Sequence, residues 1–377
     1  MKTIPQTTLL CVVSMFLVLG PGEVESQAQP ALSAEWDQAA AADYLDGRLA
    51  WWMTWSTAAR DQNTSCVSCH TSLPYALARP ALRAVLGETK LAAPEVDLLE
   101  GVEKRVALWN EVDPFYPDQT FGLPKASESR GVEAILNALI LANRDAEEGR
   151  LSSETRQAFE HLWKLQFKRG KGSGGWAWLY FNLAPWESEG AAYFGAALAA
   201  VAVGIAPDQY ASSTKFQDNV ASLRGYLQED WEDRSALDRV MLLWASGELS
   251  DLLTQDQQRS IIVALGRLQN DDGGWSLPSL GSWERPDELN PNPGSDGYAT
   301  GLIAFALQRT GVSPEQENLS RALTWLVQNQ DPTTGLWPSS SLNRERDPTS
   351  DRGLMMADAA TGFAALALMH ADPSLTR

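Results

Sequence analysis

The chain alternates between two kinds of helical segment, and this alternation restricts its fold more than any other feature. Segments 131–143, 190–203, 235–245, 296–308 and 357–369 are rich in small and aliphatic residues and carry little charge. Segments 153–167, 216–229, 254–269 and 314–330 are amphipathic, with charges on one side. Both kinds repeat their apolar residues at three- and four-residue steps, the period of an α-helix. A helix that is apolar all round must be enclosed by protein, and a one-sided helix is what encloses it. The inner helices that the apolar segments mark begin near 131, 190, 235, 298 and 357, at intervals of 45 to 63 residues. The chain therefore reads as a repeat of helical hairpins, inner helix and outer helix, with loops of unequal length.

The N-terminal part completes the count. Residues 34–59, which hold Trp51, Trp52 and Trp55, read as an outer helix and 75–86 as its inner partner. The next outer helix is 94–111, joined by a loop containing Pro114, Pro117 and Pro124 to the inner segment at 131. About six hairpins result, the number that closes an (α/α)6 toroid. No linker interrupts them. The expected fold is all-α, one domain over 29–377.

One short stretch names a chemistry. Cys66, Val67, Ser68, Cys69 and His70 form a CxxCH, the attachment signature of c-type haem. Each thiol can add across a vinyl group of haem, and the adjacent imidazole can reach the iron. A CxxC disulfide leaves His70 without a reason. A zinc site needs two further ligands, for which only His161, His370 and carboxylates remain. The expected cofactor is covalent haem c, with Cys66 and Cys69 as anchors and His70 as proximal ligand. The motif falls in the loop from the first outer helix to its inner partner.

The N-terminus agrees with that chemistry. Lys2 precedes an apolar run over 9–19 broken only by Ser14, too short to span a bilayer, and Ser26 to Ala28 offer small residues for cleavage. Residues 1–28 are expected to be a secretory signal peptide and the mature chain periplasmic. Cys11 would leave with the signal, so Cys66 and Cys69 would be the only mature thiols, in a compartment suited to covalent haem. No second long apolar run exists, so no transmembrane segment is expected. The net charge of -18 argues against nucleic acid and anionic membranes as partners.

The loops from outer to inner helix carry a second signature. Gln166 is followed by Gly174, Gly175 and Trp176; Gln269 by Gly273, Gly274 and Trp275; Gln330 by Gly335, Leu336 and Trp337. These stretches resemble the QW repeats of the squalene-hopene cyclase and prenyltransferase superfamily, over 131–370 by motif and over 30–130 by helix arrangement. The resemblance implies a barrel of inner helices wrapped by outer ones, with a cavity at one mouth. It does not carry the superfamily's reactions. The stretch corresponding to the DxDD-type acid motif of its cyclases is Ser295, Asp296, Gly297, Tyr298, where one carboxylate remains. Cysteine for the zinc site of its prenyltransferases and a GCGEQ-type thioester are both lacking.

In such a toroid the CxxCH lies at the face where the inner helices begin. Glu187, Glu189, Asp296 and Asp358 stand at or just before inner-helix starts on that rim. They are expected either to cap helices and offset their dipoles or to form a catalytic or ligand-binding carboxylate ring. For the second axial position of the iron, Met53 and Met355 are the candidates, with Met356 beside the latter. An iron with Met on its sixth side would carry electrons to a redox partner protein, and an open one would bind a small molecule. Two rival readings remain: a haem-free toroid enzyme working through the rim carboxylates, and a non-catalytic module binding an isoprenoid or a protein. The oligomeric state is not encoded in any of these features.

Overall fold

The computed structural model describes residue 1 and residues 35–118, 124–285 and 287–372. Apart from Met1, the expected signal segment 1–28 lies outside the described residues. The described chain is all-α apart from one two-stranded pairing, β1 (Ala59–Arg60) with β2 (Thr64–Ser65), and an isolated antiparallel bridge between Leu183 and Glu187. In chain order its helices are α1 (Gln38–Thr54), α2 (Ser72–Val85), α3 (Ala93–Ala107), α4 (Lys125–Glu148), α5 (Ser153–Leu165), α6 (Ala192–Ile205), α7 (Gln217–Gln228), α8 (Ala236–Glu248), α9 (Gln255–Gly266), α10 (Gly297–Arg309), α11 (Glu317–Gln328) and α12 (Met355–Ala371). Among the described residues no helix is long and apolar enough to cross a membrane.

The even-numbered helices hold the core. In α6, α10 and α12 nearly every residue is buried, whereas α5, α9 and α11 bury only one face. Inner helices pack in a succession that closes: α2 on α4, α4 on α6, α6 on α8, α8 on α10, α10 on α12, and α12 back on α2. Small residues allow the close approach. A Cβ on Gly301 of α10 would lie 2.6 Å from the Ala364 nitrogen of α12, and one on Gly362 would lie 2.5 Å from Pro74 of α2.

Several helix boundaries follow local capping signals. Ser152, Ser235 and Thr254 cap α5, α8 and α9 with their hydroxyls, and Gln257 completes a capping box with Thr254. Helix α4 starts six residues before the apolar segment does, because its first turns are buried and polar. Glu133, wholly buried, takes Arg105 at 2.5 Å and Arg130 at 3.0 Å, and Lys125 pairs with Glu128 at 2.7 Å. Buried charge is tolerated where it is paired. Apolar periodicity cannot register a helix start built this way.

The Gln–Gly–Trp turns are joints between hairpins. Gln166 donates to Gly174 O of its own turn (2.9 Å) and to Asn219 O of α7 (3.0 Å). Gln269 repeats this with Gly273 O and Asn318 O of α11, both at 2.7 Å. Gln330 repeats it with Gly335 O (2.9 Å) and Asp37 O (2.8 Å), the N-cap residue of α1. Each tryptophan turns inward and donates to the preceding outer helix: Trp176 to Leu162 O, Trp275 to Leu265 O, Trp337 to Leu326 O, at 2.7 to 2.8 Å. Burying one such indole removes about 150–250 Å² from water, roughly 4–6 kcal/mol of transfer free energy. The third joint links the last outer helix to the first.

Gly335 sits in this third joint with φ +76°, and a Cβ there would stand 2.4 Å from the Ala40 backbone of α1. Gly335→Ala should therefore lower stability by about 1–3 kcal/mol. Gly225→Ala, in the exposed middle of α7 with open space around its Cα, should raise it by about 0.5–1 kcal/mol. Urea unfolding of the two variants checks both signs.

Candidate functional site

The loop between α1 and α2 is ordered by its own backbone. After the β1–β2 turn, the Cys66 amide donates to Ala58 O (2.8 Å), and the Trp52 indole donates to Cys66 O (2.7 Å). Ser68 then acts as the cap of α2: its Oγ accepts from the Thr71 and Ser72 amides at 3.1 and 3.0 Å. The residues from Cys66 to His70 are thus presented at the N-terminal end of an inner helix. Cys66 is buried, Cys69 half-buried, and both are free thiols.

Cys66, Cys69 and His70 line a cavity of about 240 Å³. Its other walls come from the first turns of α6, α10 and α12, through Phe194, Tyr298 and Met355, and from the aromatic loop residues Tyr116, Trp178 and Trp186. Because inner helices begin here, their partial positive ends gather at this face. Residues 341–352 contribute Arg346 and Arg352 to the same cavity. Arg346 has no ion-pair partner among the described residues, and burial together with Arg344 and Arg352 lowers its pKa. Arg352 lies over the Trp55 ring, 5.3 Å from its centroid.

The titrating groups are tuned by burial. His70 is pushed down to about 4, by burial first and then by Arg48 and Arg346, so its imidazole is neutral at pH 7, the form that ligates a metal. Burial pushes the Cys66 thiol up to about 12 and raises Cys69 as well, aided by Glu187, so both stay protonated. Glu187 rises to about 7 through burial, against a smaller opposing effect of Lys125.

The four rim carboxylates are not brought together. Glu187 alone lines the cavity; Glu189 is exposed and does not line it. Asp296 is the N-cap of α10: Oδ1 accepts from the Tyr298 and Ala299 amides at 3.0 Å and from Ser339 at 3.1 Å, and Oδ2 accepts from the Leu277 amide at 2.7 Å. Burial lifts its pKa to about 6 against those donors. Asp358, wholly buried in α12, accepts from Arg48 Nε (2.7 Å) and Nη2 (3.2 Å), Tyr44 Oη (2.8 Å) and Thr71 Oγ1 (2.6 Å). Burial lifts the Asp358 carboxyl above its ordinary value, and Arg48, Thr71 and Tyr44 offset only part of that rise.

Of the methionines weighed for the iron, Met355 and Met356 line the cavity, whereas Met53 is half-buried on α1 outside it. His161 stacks on Trp109 at 4.5 Å, and His370 sits in the last turn of α12, in a separate concavity lined by the C-terminal turns of the inner helices. Sequence reasoning passed over Arg346, Arg352, Trp178 and Trp186. The signal for the first two was a run of three arginines within 344–352 in an otherwise acidic chain. Among the described residues no group of three or more His, Cys, Asp or Glu is placed to hold a bare metal ion. No protein-family model and no curated protein matches the sequence.

Because the folded pKa of Glu187 lies above its ordinary value of 4.5, the folded chain holds that proton more tightly than the unfolded one. The resulting stability is present below about pH 4.5 and lost as the pH rises through about 7. Glu187→Gln should therefore be more stable than the native chain at pH 8, with the gap closing by pH 4.5. Denaturant midpoints measured across that range test the sign.

Proposed function

We propose that this chain is an exported c-type haem protein, and that its hairpins form an (α/α)6 toroid resembling the squalene-hopene cyclase and prenyltransferase superfamily. It transfers electrons to a redox partner, or performs redox chemistry on a small ligand, at the mouth where the inner helices begin. The observation that carries this reading is the meeting in one cavity of two free thiols, a neutral imidazole and an arginine, Arg346, with no anionic partner among the described residues. The toroid is supported by the closed packing succession of the inner helices and by the Gln330 joint to Asp37.

The residues present fit haem c. Cys66 and Cys69 would hold it through thioether bonds and His70 would take one axial position. Met355, half-buried at the cavity wall, is the better placed of the two methionine candidates for the other. Arg346 and Arg352 match the charge of the propionates. When bound, haem supplies a one-electron couple whose potential depends on axial ligands, nearby hydrogen bonds and solvent exclusion. The chain's own part is to exclude water with Trp178, Trp186 and Tyr298, to orient His70, and to keep a titrating carboxyl, Glu187, beside the ligand space. A haem-free reading through paired rim carboxylates has less support, since Asp296 is spent on a helix cap and Asp358 on a buried network. The acidic composition fits a partner other than nucleic acid.

Expression with a haem-attachment system, followed by intact mass and haem staining, tests the proposal. The mature chain should be red and about 616 Da heavier than its polypeptide, as addition of both vinyl groups requires. Cys66→Ser combined with Cys69→Ser should abolish the gain. A colourless chain of unmodified mass would refute the reading.

A further inference from the structure

We infer that Asp358 is a positioning residue for the axial imidazole, acting through Thr71 to hold His70 with its proton on Nδ1 and Nε2 bare. The inference rests on the haem reading and goes beyond the attachment motif to residues of α1 and, far from it in sequence, of α12. His70 Nδ1 lies 3.0 Å from Thr71 Oγ1, and Thr71 Oγ1 lies 2.6 Å from Asp358 Oδ2.

The donor roles follow from what surrounds Asp358. The Arg48 guanidinium can only donate, and it engages both carboxylate oxygens, 2.7 Å from Oδ1 and 3.2 Å from Oδ2. Arg48 is itself held by Asp351, through Oδ1 at 3.0 Å and the backbone carbonyl at 2.7 Å. Tyr44 brings a further hydroxyl to Oδ1 at 2.8 Å. Burial alone favours the neutral acid, but a guanidinium engaging both oxygens decides the charge: the pair is held ionised, and an ionised carboxylate accepts only. The Thr71 hydroxyl must then donate to Asp358, which leaves a lone pair toward His70. Nδ1 fills that position as an N–H donor, and the second nitrogen is left free for the iron.

Such an outer partner does more than orient the ring. The relay Nδ1–H to hydroxyl to carboxylate draws the imidazole toward imidazolate character and makes Nε2 a stronger donor. Ferric iron gains more from a stronger donor than ferrous iron does, so an intact relay lowers the reduction potential. The geometry is held by packing, since Gly362 of α12 meets Pro74 of α2 too closely for any side chain to intervene.

The test is a redox titration of the haem-bearing full chain and its variants at one pH. Thr71→Val keeps the shape and breaks the relay, and should shift the ferric–ferrous equilibrium about tenfold toward ferrous, a rise of about 59 mV for one electron. Thr71→Ser should restore the native potential. Tyr44→Phe removes a competing donor from Asp358 without touching Thr71, and should move the potential the opposite way, downward; a purely structural role for Asp358 predicts no such reversal. A haem-bearing Thr71→Val chain with the native potential would overturn this inference alone. If Thr71→Val does not fold, an unshifted or raised potential in Tyr44→Phe would overturn it. A native chain without covalent haem, read first from its mass, would overturn the haem reading and this inference with it.

Discussion

A single buried carboxylate joins the two ends of the described chain. Asp358 sits in the last inner helix, and its partners Tyr44, Arg48 and Thr71 come from the first outer helix and from the loop before the first inner one. An ionised group this deeply buried is costly unless every lone pair is met. Meeting them requires α1, α2 and α12 to be in register at the same time. The Gln330 amide does similar work outside, bridging the turn after α11 to the N-cap of α1. Both contacts lie at the seam where the succession of helices closes.

The candidate site lies on that seam. The loop from Cys66 to His70 leaves α1 and enters α2, so closure brings it against the start of α12, whose Met355 and Met356 share its cavity. Rigid helices thereby carry the site, while irregular segments supply its chemistry. The arrangement also separates groups of like type. Asp296 and Asp358 occur near inner-helix starts, where helix dipoles favour anions; Asp296 is consumed by donors close in sequence and Asp358 by donors from the other end of the chain. Glu187 stands in a loop with no such donors to its side chain among the described residues and keeps a titrating carboxyl. Burial then raises it, as expected for a carboxyl deprived of both water and hydrogen bonds.

Much of this was legible in the chain. Outer helices α5, α7, α9 and α11 fall within a few residues of the amphipathic segments, since their one-sided patterns, and the hydroxyl caps of α5 and α9, are local features. The turn motif announced joints that the Gln166, Gln269 and Gln330 amides make in the same way each time. The start of α4 was not legible, because Lys125, Ser129 and Glu133 are polar residues whose burial depends on partners brought by other segments, such as Arg105 of α3. Of four acidic residues that looked alike in sequence, one faces the cavity, one faces solvent and two are engaged in hydrogen bonds. Arg346 and Arg352 are distant in sequence from the CxxCH, and nothing near the motif pointed to them.

The sequence by itself determined the all-α class, the alternation of inner and outer helices, the joints between hairpins and the pairing of two thiols with an adjacent histidine. Each of these is written within a few consecutive residues, in period, capping or motif spacing. Only the tertiary structure decided which carboxylates are consumed, which methionine borders the thiols, and that Thr71 and Asp358 stand behind His70. The last two of these outcomes depend on distances between residues hundreds of positions apart. They arise when packed inner helices bring the first and last of them together, and no local pattern carries that information.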